Sequence, residues 1–170
     1  IVSDGTNIYT GIGNSSGEAE VWRYDGSTWT KVGGDTVNSS WLIVAPGPYE
    51  RVTSMVADGT TIYAGLGTTA GDAEVWKCTS CDSSPTWTKI GGDGSGTAGQ
   101  SWATSTYEEV SAMIIVNGTT LAVGLGTTGN DGELWTCATS SCTVTTGWTK
   151  RGGDASGTAG QSWTNTIEEV

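Results

Sequence analysis

"GDAEVWKCTSCDSSPTWTKIGGDG", residues 71–94, is the middle copy of a sentence that the chain writes three times. Its counterparts are "GEAEVWRYDGSTWTKVGGD" (17–35) and "GELWTCATSSCTVTTGWTKRGGD" (132–154). All three share one frame: an acidic turn, a [VL]W strand, a variable hairpin, then WTK followed by one residue and GGD. The flanks repeat too, with "DGTNIYTGIG", "DGTTIYAGLG" and "NGTTLAVGLG" before each copy, and "NSSW" or "GQSW" then "YERV", "YEEV" or "IEEV" after it. The nine tryptophans fall into three sets of three: Trp22, Trp76 and Trp135; Trp29, Trp87 and Trp148; Trp41, Trp102 and Trp163. Trp22 and Trp76 stand 54 apart, Trp102 and Trp163 stand 61 apart, and every change of length falls in a turn. That drift is expected of fixed strands joined by free loops.

Within each copy the pattern predicts four short strands, as in "RVTSMVADG", "TIYAGLG", "AEVWKC" and "TWTKIGG", separated by Asp-Gly and Gly- or Ser/Thr-rich turns. With Gly 27 against Pro 3, and no long window of 3.6-residue period, the composition is that of a turn-rich β protein. A single four-stranded antiparallel sheet cannot bury both its faces, so neighbours must stack, and four strands in every repeat of about 58 residues is the signature of a β-propeller blade. The expected fold is therefore all-β: three four-stranded antiparallel blades at approximately 1–52, 53–110 and 111–170. Val170 aligns with Val110 and Val52, and Ile1 with Met113 and Met55, so the innermost strand is expected to be split between the termini. Three blades are too few to close a ring. The expectation is a part of a larger propeller or array, or a half-ring completed by self-association or by further blades.

The hairpins "YDGSTW" and "CDSSPTW" resemble the Asp-box turn of sialidase-like propellers, in which an Asp and a Trp frame the turn between a blade's third and fourth strands. The third hairpin, "TVTTGW", has no Asp. The stretches "GGDTVNSSW" and "GGDGSGTAGQSW" resemble the joints between blades of tachylectin-like propeller lectins. The resemblance implies a propeller fold over the whole chain and makes carbohydrate a ligand class to consider.

A net charge of -11, with only seven Lys and Arg, argues against nucleic acid as a partner. The apolar stretches "WLIVA" and "AMIIV" are too short for membrane insertion as a helix. With no histidine, Ser-His triads are excluded, and acid–base work would fall to carboxylates. Arg23, Arg51 and Arg151 occupy three different repeat positions, which converge poorly for a sialidase-like arginine cluster. The expectation is a chain that is not an enzyme.

Cys78 and Cys81 sit in one hairpin and Cys137 and Cys142 in the next. A tetrathiolate zinc site, free thiols and one disulfide per hairpin are the three readings. Equivalent points on adjacent blades diverge toward the rim, which favours disulfides and an extracellular or cell-surface location. The sequons at Asn14, Asn38 and Asn117 point the same way.

The carboxylate pairs Glu18 and Glu20, Asp72 and Glu74, and Asp131 and Glu133 precede the [VL]W strands and read as solvated turn acids, with calcium the cation such oxygen-rich turns would suit. Glu50, Glu108 and Glu168 open the innermost strands and are placed to ring a central channel. Six tryptophans, the sets at Trp22 and Trp29, read as core. Trp41, Trp102 and Trp163 follow polar loops, where an aromatic face beside hydroxyl and amide groups suits a pyranose. The candidate glycan-binding set is these three with Asp35, Asp93, Asp154, Asn38, Gln100 and Gln161. The function expected is a carbohydrate-binding propeller module with lectin-like sites between blades, the alternative being a structural repeat unit of an extracellular array, stalk or filament without a small ligand.

Overall fold

A computed structural model gives the architecture and describes residues 1–34, 40–41, 50–67, 73–92, 102, 107–126 and 132–153. Every regular element among them is a strand. The first sheet holds β1 (Val2–Ser3), β2 (Ile8–Ile12), β3 (Glu20–Tyr24) and β4 (Trp29–Gly33). The second holds β5 (Val52–Asp58), β6 (Thr61–Leu66), β7 (Glu74–Thr79) and β8 (Thr86–Gly92). The third holds β9 (Val110–Val116), β10 (Thr120–Leu125), β11 (Glu133–Ala138) and β12 (Thr149–Gly153). Each sheet is an antiparallel meander in chain order, so the protein is all-β with three four-stranded antiparallel repeats. The two-residue β1 takes the place that β5 and β9 hold in their sheets; Val170 lies outside the described residues.

Turn chemistry sets the hairpins. Asn117 and Gly118 carry φ of 52° and 67°, and the Thr119 N–H closes on the Val116 carbonyl at 3.2 Å. Two successive positive φ values match the right-handed twist of the flanking strands, and Asn-Gly tolerates them. Between β1 and β2, Asp4 instead accepts hydrogen bonds from the backbone N–H groups of Thr6 and Asn7, the Asn7 amide and the Tyr9 hydroxyl. Burial opposes its ionisation, but these four donors outweigh burial and hold Asp4 at about 2. Its stabilising effect is present above the ordinary value of 3.8 and is lost as pH falls toward about 2. Asp4→Asn is expected to lose less stability than the parent between about pH 5 and about pH 2.5. Denaturant unfolding at both pH values checks this, and an unchanged slope would contradict it.

Each sheet carries a bulge at one equivalent point, where the register shifts between Val21 and Trp22, Val75 and Trp76, and Leu134 and Trp135. The extra residue on the partner strand is Val32, Ile90 or Arg151, the variable letter in the WTK–GG frame. Alternation then sends Ile8, Ile12, Trp22 and Tyr24 to one face of the first sheet, and Tyr9, Val21 and Arg23 to the other. Successive sheets stack through these faces. One core joins Tyr9, Val21 and Val32 to Ile62, Ala64 and Leu66, and a second joins Tyr63, Val75 and Ile90 to Leu121, Val123 and Leu125. The first strands of the second and third sheets, β5 and β9, also touch, and the hydroxyls of Thr53 and Ser54 both donate to the Val110 carbonyl at 2.7 Å.

Candidate functional site

The seams between sheets hold two of the residues that the sequence marks out, Trp41 and Trp102. At the first seam the Trp41 indole N–H donates to the Ala19 carbonyl at 3.0 Å, and its ring lies edge-on to Trp76 and Trp87, with centroids 6.2 and 5.0 Å away. At the second, Trp102 donates to the Ala73 carbonyl at 2.8 Å and stands edge-on to Trp135 and Trp148, at 5.8 and 4.9 Å. Edge-to-face geometry sets the positive rim of one ring against the negative face of another. Trp41 and Trp102 are both buried, so neither ring face is open to solvent. Trp163, Asp35, Asp93, Asp154, Asn38, Gln100 and Gln161 lie outside the described residues.

The hairpin tryptophans close the same seams from the other side. Trp87 donates to the Val32 carbonyl at 2.8 Å and Trp148 to the Ile90 carbonyl at 2.7 Å, so the bulged residue of one sheet accepts the indole of the next. This explains the glycine that follows the bulge. A Cβ on Gly33 would stand 2.8 Å from Trp87 Nε1, and one on Gly91 would stand 2.9 Å from Trp148 Cζ2. Only a hydrogen fits there.

The first tryptophan of each copy is held differently. Trp22, Trp76 and Trp135 donate to the Glu two residues earlier, at 2.7, 2.8 and 2.6 Å to Glu20, Glu74 and Glu133. The other carboxylate oxygen takes the ammonium of Lys31, Lys89 or Lys150. Glu74 and Glu133 are buried, which corrects the expectation of solvated turn acids. The burial is tolerable because each charge has both an ammonium and an indole N–H. Glu18 is exposed, and Asp72 and Asp131 lie outside the described residues. The spacing E-x-W with the later WTK lysine, present in all three copies, is the signal that identifies this triad, because a period of two puts Glu and Trp on one face. Burial opposes ionisation of Glu20, while hydrogen bonds from Lys31 and Trp22 win and hold its carboxyl below the usual range.

The arginines have separate partners. Arg23 Nη1 donates to the Cys81 carbonyl at 3.5 Å, Arg51 pairs with Glu109 at 2.8 Å, and Arg151 Nε donates to the Thr136 hydroxyl at 2.9 Å. Arg51 and Glu109 are equivalent positions of adjacent repeats, a link between the starts of β5 and β9 that the sequence pattern hides, since it draws the eye to Glu50 and Glu108. Glu168 lies outside the described residues. Among the described residues no group of three or more His, Cys, Asp or Glu is placed to hold a metal ion.

The four cysteines form two disulfides, Cys78–Cys81 and Cys137–Cys142, with Cα separations of 5.8 and 5.7 Å. Cys78 and Cys81 are fully buried in the first seam, so the bridge also serves as packing surface. Closing so short a loop stabilises by about 2 kcal/mol. Reduction is accordingly expected to lower stability by about that amount per bridge without unfolding the sheets, which thermal unfolding with and without reductant measures. Asn14 and Asn117 are exposed, and Asn38 lies outside the described residues.

No protein-family model, curated protein or solved structure matches this chain.

Proposed function

We propose that the chain is a non-enzymatic, propeller-type repeat module with a structural role in an extracellular or cell-surface protein, each four-stranded sheet acting as one blade. The observation that carries this reading is the composition of the two seams. In each, three indoles from adjacent repeats pack together and direct their N–H groups to intramolecular acceptors. Six tryptophans devoted to joining three small sheets suit a repeat array, in which one unit is unstable without its neighbours. The disulfides support an oxidising location.

Carbohydrate binding at the seams is the competing reading. Stacking a pyranose needs a free aromatic face, and the rings of Trp41 and Trp102 are covered by Trp76, Trp87, Trp135 and Trp148. The test is a glycan array probed with the 170-residue chain. No saturable retention is expected, and a glycan whose binding disappears in Trp102→Phe while the sheets stay folded would overturn the structural reading.

A further inference from the structure

The two faces of each seam are built from equivalent positions, and among the described residues one such face has no counterpart covering it. In the second and third sheets Ile62, Leu66, Leu121 and Leu125 are fully buried against the preceding sheet. Their equivalents in the first sheet, Ile8 and Ile12, are 41% and 46% exposed. Trp29, the equivalent of the carbonyl-seeking Trp87 and Trp148, is 49% exposed and rests against Tyr24, at 5.1 Å between centroids. The Glu20–Lys31 pair is likewise more open than Glu133–Lys150. Such a face, with the sequence of a seam and the exposure of a surface, marks an interaction site.

The third sheet's outward face supplies a match that the other two could not. At the two observed seams a tyrosine, Tyr9 or Tyr63, shares its core with a cystine hairpin of the next sheet, through Cys78 and Cys81 or through Cys142. On the third sheet that position is Ala122, which with Ile114 and Leu134 lines an apolar slot, and Ile114 is 60% exposed. On the first sheet the cysteine position is Tyr24, paired with Ile8 as Cys78 is with Ile62. A large residue thus faces a small one in either order.

The basic contact follows the same exchange. Arg23 and Lys77 donate to carbonyls of the next sheet's hairpin, Cys81 and Thr139. Their equivalent is Thr136, and Arg151, exposed, is bound to its hydroxyl. The first sheet's hairpin, which would receive Arg151, carries the exposed carboxylate of Asp25.

We infer that the uncovered face of the first sheet, centred on Ile8, Ile12, Tyr24 and Trp29, docks the outward face of the third sheet of a second copy of this chain, with Ala122 against Tyr24 and Arg151 against the Asp25 hairpin. The inference rests on the propeller-type reading, since it extends the observed seam by one step. Head-to-tail joining through two different faces gives a ring where the rotation closes and a filament where it does not.

Sedimentation of the 170-residue chain over a concentration series tests it. The parent is expected to self-associate, and Trp29→Asp to weaken association roughly 30-fold or more, as loss of a central aromatic anchor does. Arg151→Glu should weaken it as well. Ala122→Tyr should weaken it by overfilling the slot, and adding Tyr24→Ala to the same chain should restore it. Trp29 and Arg151 are exposed, so circular dichroism should find these two variants folded; should Ala122→Tyr misfold, those two decide the outcome. A parent that stays monomeric, or one that associates equally in Trp29→Asp and Arg151→Glu, overturns the interface while leaving the seam reading intact. A monomer that retains a glycan through Trp29 overturns it and assigns the face to carbohydrate. Loss of the edge-on indole signals in near-ultraviolet dichroism of the parent would instead overturn the seam reading.

Discussion

Trp102→Ala is expected to lower the unfolding free energy by about 3–5 kcal/mol, the range for deleting a large aromatic from a packed interior. The residue is 2% exposed, its N–H satisfies the Ala73 carbonyl, and its ring supports Trp135 and Trp148 at once. A Cβ on Gly91 would already stand 3.0 Å from its Cη2, so the indole fills its site without slack. Removal leaves a cavity, an unpaired carbonyl and two rings without their edge contact. Against a total stability of about 5–15 kcal/mol for a domain, a loss of that size would free much of the third sheet. Trp102→Phe keeps most of the apolar contact and sacrifices the hydrogen bond, so about 1–2 kcal/mol is expected. Urea unfolding followed by fluorescence measures both, and a loss under about 1 kcal/mol for the alanine variant would show that the sheets are held together elsewhere.

Strand identity and order were readable because alternation and turn signals agreed. "TIYAGLG" became β6 over Thr61–Leu66, and "TWTKIGG" became β8 over Thr86–Gly92. The pairing of the cysteines within each hairpin is the expectation for hairpins of separate repeats, and the bridges Cys78–Cys81 and Cys137–Cys142 agree with it. The role of Trp41 and Trp102 was ambiguous, since a polar approach such as "NSSW" fits an indole entering a seam as well as one presented to a sugar. What separates the two is the position of Trp76 and Trp87 on the next sheet, a contact between residues more than thirty positions away in the chain. The burial of Glu74 and Glu133 is hidden in the sequence, because neighbouring Gly and Asp residues make a solvated turn the simplest account. Their charge is buried only because Lys89 and Lys150 arrive from the partner strand. The bulge at Val32 and Ile90 left no mark beyond the repeated GG, whose meaning depends on an indole from another repeat.

The triad also yields the second large effect, at Lys150. The side chain of Glu133 is 1% exposed, with one oxygen on the Lys150 ammonium and the other on Trp135. Lys150→Ala strands a charge that the surroundings cannot solvate, and breaking a buried pair from one side costs about 3–5 kcal/mol. The equivalent Lys31→Ala removes a partner from Glu20 on the first sheet, where 18% and 23% of the two side chains reach water. Solvent screens that pair, so about 1 kcal/mol or less is expected there. Replacing both members of the buried pair, Glu133→Gln with Lys150→Met, should recover much of the loss, because a neutral amide still accepts the Trp135 N–H and a thioether fills the lysine stem's volume. Urea unfolding of the parent and these three variants measures each effect. Equal losses at Lys150 and Lys31 would mean that the triads are held by local strand geometry alone. A large loss at Lys150 beside a small one at Lys31 would tie the triad's energy to the sheet that covers it.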